Sequence, residues 1–291
     1  MPPRDQRADG QTLARPSRRL WQTVIAPILA VSATAALSYG MPEHVAYALP
    51  ALPAPGAGPS EDPAAVATEP DDIAPETGEP APSGAADASA PARRYGAMDA
   101  ATCERELRAR GVAFERAPES RGVLLPVRLT GPVRGVTYRT ALGERARKTS
   151  PYEITDCRLA LALDDFAKIL AAHEIVEVIH YSMYRPPSPR SLAPGVLGTR
   201  HAGALAIDAG SFTKKDGTKI DVEKDFHGGI GQRACGVNPP TDPRAKELRE
   251  IVCSATAAHL FNVALTPDYN WQHRNHFHLE VTPKVSWFIV H

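Results

Sequence analysis

The chain has 291 residues, with 33 basic and 33 acidic side chains and a formal charge of zero. That length allows one or two domains, and the balanced charge argues against a nucleic-acid partner, which calls for a basic excess or stripe. The 28 prolines are unevenly spread and nine of the ten histidines lie after residue 170, so imidazole chemistry belongs to the C-terminal half.

At the N-terminus, Arg15, Arg18 and Arg19 precede an apolar run from Leu20 to Tyr39. A basic segment followed by an apolar one is the pattern of an export signal, with Ala46-Tyr47-Ala48 as a small-residue cleavage site. A run of this length also reaches the ~20 residues needed to span a bilayer, so an uncleaved membrane anchor with its basic side inside is the alternative. Residues 1–48 are therefore read as signal peptide or anchor, and either reading places the rest in the periplasm or cell envelope. Residues 49–97 are rich in Ala, Pro, Gly, Asp and Glu and show no apolar periodicity. Such a segment buries too little apolar surface to offset its ordering entropy and is read as a disordered linker.

The folded domain is expected over 98–291. Ala101–Arg110 reads as a short helix stopped by Gly111. Val123–Leu129 and Val136–Arg139 read as strands around a Gly131-Pro132 turn, the first an edge strand because of Pro126. The clearest helix is Asp156–Ala172, where Leu159, Leu163, Phe166 and Leu170 lie on a broad apolar stripe. Strands are expected at Ile175–Ser182, Ala204–Asp208, Thr218–Val222, Phe261–Leu265 and His276–Val281, with a second helix over Pro243–Leu260 capped by Asp242. The mixed order predicts an α+β fold, an antiparallel sheet with flanking helices.

Four cysteines, Cys103, Cys157, Cys235 and Cys253, lack the close C-x-x-C spacing of structural zinc sites. An even number in an exported chain fits two disulfides. Sequence proximity favours Cys103–Cys157 and Cys235–Cys253, with the other two pairings left open.

The chemistry concentrates in two stretches. In His276-Phe277-His278-Leu279-Glu280-Val281 the apolar residues alternate without a fault, so a strand turns Phe277, Leu279 and Val281 to the core and His276, His278 and Glu280 the other way. In Ala204–Asp208 the same logic puts Leu205 and Ile207 inward and leaves Asp208 beside two alanines. His201 lies beyond Gly203, whose turn lets it fold back toward Asp208. Two histidines and a carboxylate are a sensible zinc set, with one position left for water. A lone histidine on a strand is more often packed than liganded; the coincidence of two faultless alternations makes the case.

The block Thr199-Arg200-His201-Ala202-Gly203-Ala204-Leu205-Ala206-Ile207-Asp208, together with His276-Phe277-His278, resembles the two signatures of the LAS metallopeptidases, which include D-alanyl-D-alanine peptidases and murein endopeptidases. A more specific resemblance, over most of 100–281, is to the bacterial extensin-like C-terminal domain family, in its cysteine positions, its Tyr-Arg step and its ending His273-x-x-His276-Phe277-His278-Leu279. The resemblance implies a LAS-like core with a zinc ion on His201, Asp208 and His278. It implies His276 as base or transition-state stabiliser and His273 as an accessory histidine. It also implies Arg185 as a substrate or oxyanion contact and Tyr184 beside it on the substrate. Asn275 stands where related peptidases carry a glutamate base, which leaves that role to His276. Residues 227–243 look like an inserted loop, a lid or specificity element.

The expected function is zinc-dependent cleavage of peptidoglycan stem or cross-link peptides. The rival from another class is a zinc-containing module that binds the wall without cutting it, and a weaker third is an envelope scaffold working through the proline-rich stretch. A fourth zinc position open to water separates enzyme from module.

Overall fold

The computed structural model describes residues 88–236 and 239–291. The apolar N-terminal run and most of the proline-rich stretch lie outside these residues. Among the described residues no helix is long and apolar enough to cross a membrane.

In chain order the helices are α1 (Pro91–Gly96), α2 (Ala100–Ala109), α3 (Glu144–Arg147), α4 (Cys157–Ala172), α5 (Val222–Asp225) and α6 (Pro243–Ala257). The strands are β1 (Phe114–Arg116), β2 (Pro126–Leu129), β3 (Thr137–Thr140), β4 (Thr155–Asp156), β5 (Ile175–His180), β6 (Ala206–Lys214), β7 (Lys219–Asp221), β8 (Val263–Leu265), β9 (Phe277–Glu280) and β10 (Ile289–Val290). They form a three-stranded sheet, β1-β2-β4, and a seven-stranded sheet, β10-β8-β9-β6-β5-β3 with β7 on β6. Most pairs are antiparallel, but β3–β5 and β8–β10 are parallel. The class is α+β, with a mixed larger sheet.

The central helix α4 forms where its leucines and alanines predict it. Asp156 caps it by accepting from the Arg158 amide. Leu159, Leu161, Leu163, Phe166 and Leu170 are fully buried, and the helix packs against α1, α2, α6 and β5. Burying side chains of this size contributes ~1.5–3 kcal/mol each. Cys103–Cys157 ties α2 to the start of α4, and Cys235–Cys253 ties the loop after α5 to α6. These are the pairings that sequence proximity favours, and two disulfides fit an exported chain.

Three expectations are corrected. The linker boundary at 97 falls too late, because α1 lies inside that stretch. Tyr95 of α1 is buried, donates its hydroxyl to Asp165 of α4 and accepts from Arg110 Nη2 at 2.9 Å. Next, β2 is a central strand, and β2 and β3 lie in different sheets rather than forming a hairpin. Pro126 is tolerated because it is the first residue of its strand, where its carbonyl still accepts from Ala117. Last, the part of the 227–243 loop from Gly229 to Ala234 is tied to Asp268 and Arg249 rather than standing free. Asp268 accepts from Gly229 N at 2.7 Å, the Asp268 carbonyl accepts from Gly231 N, and Arg249 Nη1 donates to the carbonyls of Arg233 and Ala234.

Candidate metal centre

Strands β6 and β9 are antiparallel neighbours in a register that sets Asp208 directly opposite His278. His201 arrives from a short 3-10 turn, Arg200–Gly203, that precedes β6. The turn works differently from the sequence expectation. Arg200 (φ 50°) and Ala204 (φ 53°) take the left-handed conformations. Gly203 is required for space, since a Cβ there would lie 2.3 Å from the Gly198 carbonyl oxygen.

Three donor atoms converge. His201 Nε2 is 3.0 Å from Asp208 Oδ1, His278 Nδ1 is 3.1 Å from the same oxygen, and the two ring nitrogens are 3.3 Å apart. Tetrahedral coordination with bonds of ~2.0–2.1 Å puts neighbouring ligand atoms ~3.3–3.4 Å apart; one edge of the triangle matches this and the other two are shorter by about 0.2–0.4 Å, so a zinc-sized cation fits after a small outward shift of Asp208 Oδ1. All three residues are buried.

Hydrogen bonds on the far side of each ring decide which nitrogen presents a lone pair. His201 Nδ1 faces the Met183 carbonyl at 3.2 Å. A carbonyl can only accept, so Nδ1 holds the proton and Nε2 turns its lone pair to Asp208. His278 Nε2 faces Glu280 Oε2 at 3.4 Å. Burial would raise Glu280, but the hydrogen bond and charge of His278 outweigh it and keep the carboxyl below its ordinary value. It therefore accepts the Nε2 proton and leaves Nδ1 directed at Asp208. Two lone pairs and a carboxylate oxygen pointed at one another repel unless a positive charge sits among them.

Without a metal ion, protons on the imidazoles supply that charge instead. Burial works against a charged His278, yet the hydrogen bonds and charges of Asp208 and Glu280 push its pKa up to about 9. For His201, burial dominates and lowers the pKa, against the charge and hydrogen bond of Asp208. Burial would raise Asp208, but the charges of His201 and His276, with hydrogen bonds from His201 and His278, hold it well below the carboxylate range.

The remaining predicted residues divide. His276 Nε2 lies 3.4 Å from Asp208 Oδ1, and its Nδ1 is 2.8 Å from Asn275 Oδ1. Asn275, the departure noted in the sequence, thus orients the His276 ring. His273 sits in a 3-10 turn capped by Asn270 and its ring is 5.1 Å from that of His276. The bend at Arg274 and Asn275 brings it to the cluster. Burial, with the charges of His278 and His276, pushes His273 down to about 3. Arg185 also reaches the centre, but its Nη2 is on Asp208 Oδ2 and its Nε donates to Ser182 Oγ at 3.0 Å. Its guanidinium lies on the carboxylate of Asp208. Tyr184 does not join the cluster. Its ring is buried with Val123, Ile154 and Ala204, and its hydroxyl donates to the Arg121 carbonyl at 3.0 Å. It braces a loop.

Two residues at the centre have no functional role assigned from the sequence, where Tyr181 reads as the end of a strand. Ser182 Oγ donates to Asp208 Oδ2 at 3.2 Å; a serine after a strand carries no signal of its own. Tyr181 packs edge-to-face on His276 with ring centres 5.8 Å apart. Burial and the charges of Asp221 and Glu223 raise its pKa.

No curated protein and no solved structure matches the chain. The family model described as extensin-like protein C-terminus matches residues 101–289, which takes in both disulfides and every residue of the centre. The chain belongs to the extensin-like protein C-terminus family.

Proposed function

We propose that the domain is a zinc-dependent peptidase acting on peptides of the bacterial cell wall. The observation that carries the reading is the convergence of His201 Nε2, His278 Nδ1 and Asp208 Oδ1 within 3.0–3.3 Å, with the tautomers fixed from behind by Met183 and Glu280. The kinship to LAS peptidases is part of the proposal. It is an imperfect match, for the first signature of those peptidases, (S/T)-x-H-x-x-G-x-A-x-D, has a glycine where this chain has Ala204, which adopts the left-handed conformation a glycine favours.

Zinc at such a site polarises a carbonyl and lowers the pKa of its water to about 7. The protein's own part is positional. His276 takes up a proton beside the centre, with Asn275 holding its Nδ1. Arg185 and Ser182 hold the second oxygen of Asp208, which fixes the carboxylate's angle. The peptide-bearing wall is the substrate because the sequence carries an export signal and a spacer ahead of a domain with two disulfides.

A second reading, a zinc-containing module that holds the wall without cutting it, is favoured by one observation. His201, Asp208 and His278 are only 5%, 1% and 2% exposed. One experiment separates the two. Purified protein is incubated with murein sacculi and released fragments are followed by chromatography. Peptidase activity gives fragments that need zinc and disappear in His276→Ala, a variant that keeps all three metal donors. Zinc binding and sacculus binding without fragments leave the module.

A further inference from the structure

Gly210 is a glycine without a conformational reason. Its φ is outside the left-handed region, and it lies in the middle of β6, where glycine weakens a strand. Space explains it. A Cβ at position 210 would sit 3.0 Å from Tyr181 Cζ, 3.1 Å from its hydroxyl and 3.2 Å from Cε2. Gly210 is thus a seat for the Tyr181 ring, two residues along the strand from Asp208 and on the same face.

The rest of the surroundings hold that ring at the centre. The Tyr181 amide donates to the Asp208 carbonyl at 2.9 Å, which ties its backbone to the ligand-bearing strand. The ring edge meets His276. Yet the side chain is 40% exposed, far more than any histidine of the cluster. Its hydroxyl makes only a long contact, 3.4 Å, with the Asn275 carbonyl, an interaction weak enough to be exchanged.

From this geometry we infer that Tyr181 is a substrate-contacting residue, its hydroxyl donating to an acyl oxygen of a peptide or peptide-like ligand at the centre, with Gly210 as the residue that seats it. The inference rests on the proposed metal site and deepens it. A fixed hydroxyl donor on the solvent side, adjoining His276, is the complement of an oxygen that gathers negative charge. Because the ring is on the surface, a methyl group at 210 displaces it outward without disturbing the core beneath.

The test uses the chain loaded with cobalt(II), whose visible absorption reports occupation of the centre, titrated with acetohydroxamate, a small acyl-oxygen probe. Tyr181→Phe and Gly210→Ala keep the wild-type cobalt stoichiometry and each weaken acetohydroxamate about five- to tenfold, the size of one lost hydrogen bond. Wild-type affinity in Tyr181→Phe overturns the inference, as does failure of the wild-type chain to take up cobalt. Sacculus digestion is run on the same preparations. A wild-type chain that binds the probe in a Tyr181-dependent way but releases no fragments ends the peptidase reading and upholds the role of Tyr181 as a ligand donor.

Discussion

Asp208 and His278 are register partners on β6 and β9, and their side chains meet at 3.1 Å. Directly opposed residues on antiparallel strands have Cβ atoms ~4.5–5.5 Å apart, so backbone hydrogen bonding alone places two of the three donors. The purified chain is therefore expected to retain one zinc per molecule after dialysis, measured by atomic absorption, and Asp208→Asn or His278→Ala to lose it. Zinc should raise the thermal midpoint of the wild-type chain, since a ligand that binds only the folded state stabilises it. An equal rise in Asp208→Asn would refute the assignment.

Glu280 controls the tautomer of His278 from behind, and its other oxygen accepts from Thr282 Oγ1 at 2.8 Å. Replacing such an outer partner typically costs 10–100-fold in metal affinity. Glu280→Ala is expected to weaken zinc by about that factor in a chelator competition. An unchanged dissociation constant would show that His278 is oriented without it.

The turn that delivers His201 depends on two backbones touching. A methyl group on Gly203 would lie 2.3 Å from the oxygen and 2.7 Å from the carbon of the Gly198 carbonyl. Backbone cannot step aside as a side chain can, so Gly203→Ala should cost about 2–3 kcal/mol in urea unfolding of the metal-free protein. A loss under ~0.5 kcal/mol would mean that the turn yields freely.

His180 is fully buried at the end of β5, and neither ring nitrogen has a hydrogen-bond partner. Burial pushes its pKa down to about 4 against an ordinary 6.5, although the charges of Glu153 and Asp208 oppose the shift. The folded chain keeps it neutral while the unfolded chain protonates it. Its effect is thus absent above pH 6.5, and stability is lost as pH falls from 6.5 toward 4, by on the order of 3 kcal/mol in all. His273, also lowered by burial, acts in the same direction. In chelator-treated protein, His180→Leu should flatten the fall of the urea midpoint between pH 6.5 and 4.5; a parallel fall in both proteins would assign the acid sensitivity elsewhere.

The elements that sequence reading placed well are those with strong periodicity or caps: α4 behind Asp156, α6 behind Asp242, and the alternating β9. Local pattern is enough there because burial of one face is a property of the segment itself. Helix α1 escaped because its composition is that of the stretch before it, and only the distant partners Arg110 and Asp165 make Tyr95 worth burying. The sheet membership of β2 and β3 escaped for the same reason: strand pairing is a long-range choice that a turn signal does not dictate.

The amino-acid order by itself determined which side chains share a face, so His276, His278 and Glu280 on one strand, and Asp208 on another, were available from alternation. It also determined, through the nearness of the cysteines, the favoured disulfide pairs. Only the tertiary structure decided that Asp208 and His278 stand opposite, that Arg185 spends its guanidinium on the carboxylate, that Tyr184 turns away and that Tyr181 rests on Gly210. A repeat of two residues per strand fixes direction within a segment; register, and the approach of one backbone to another, depend on residues as far apart as 208 and 278.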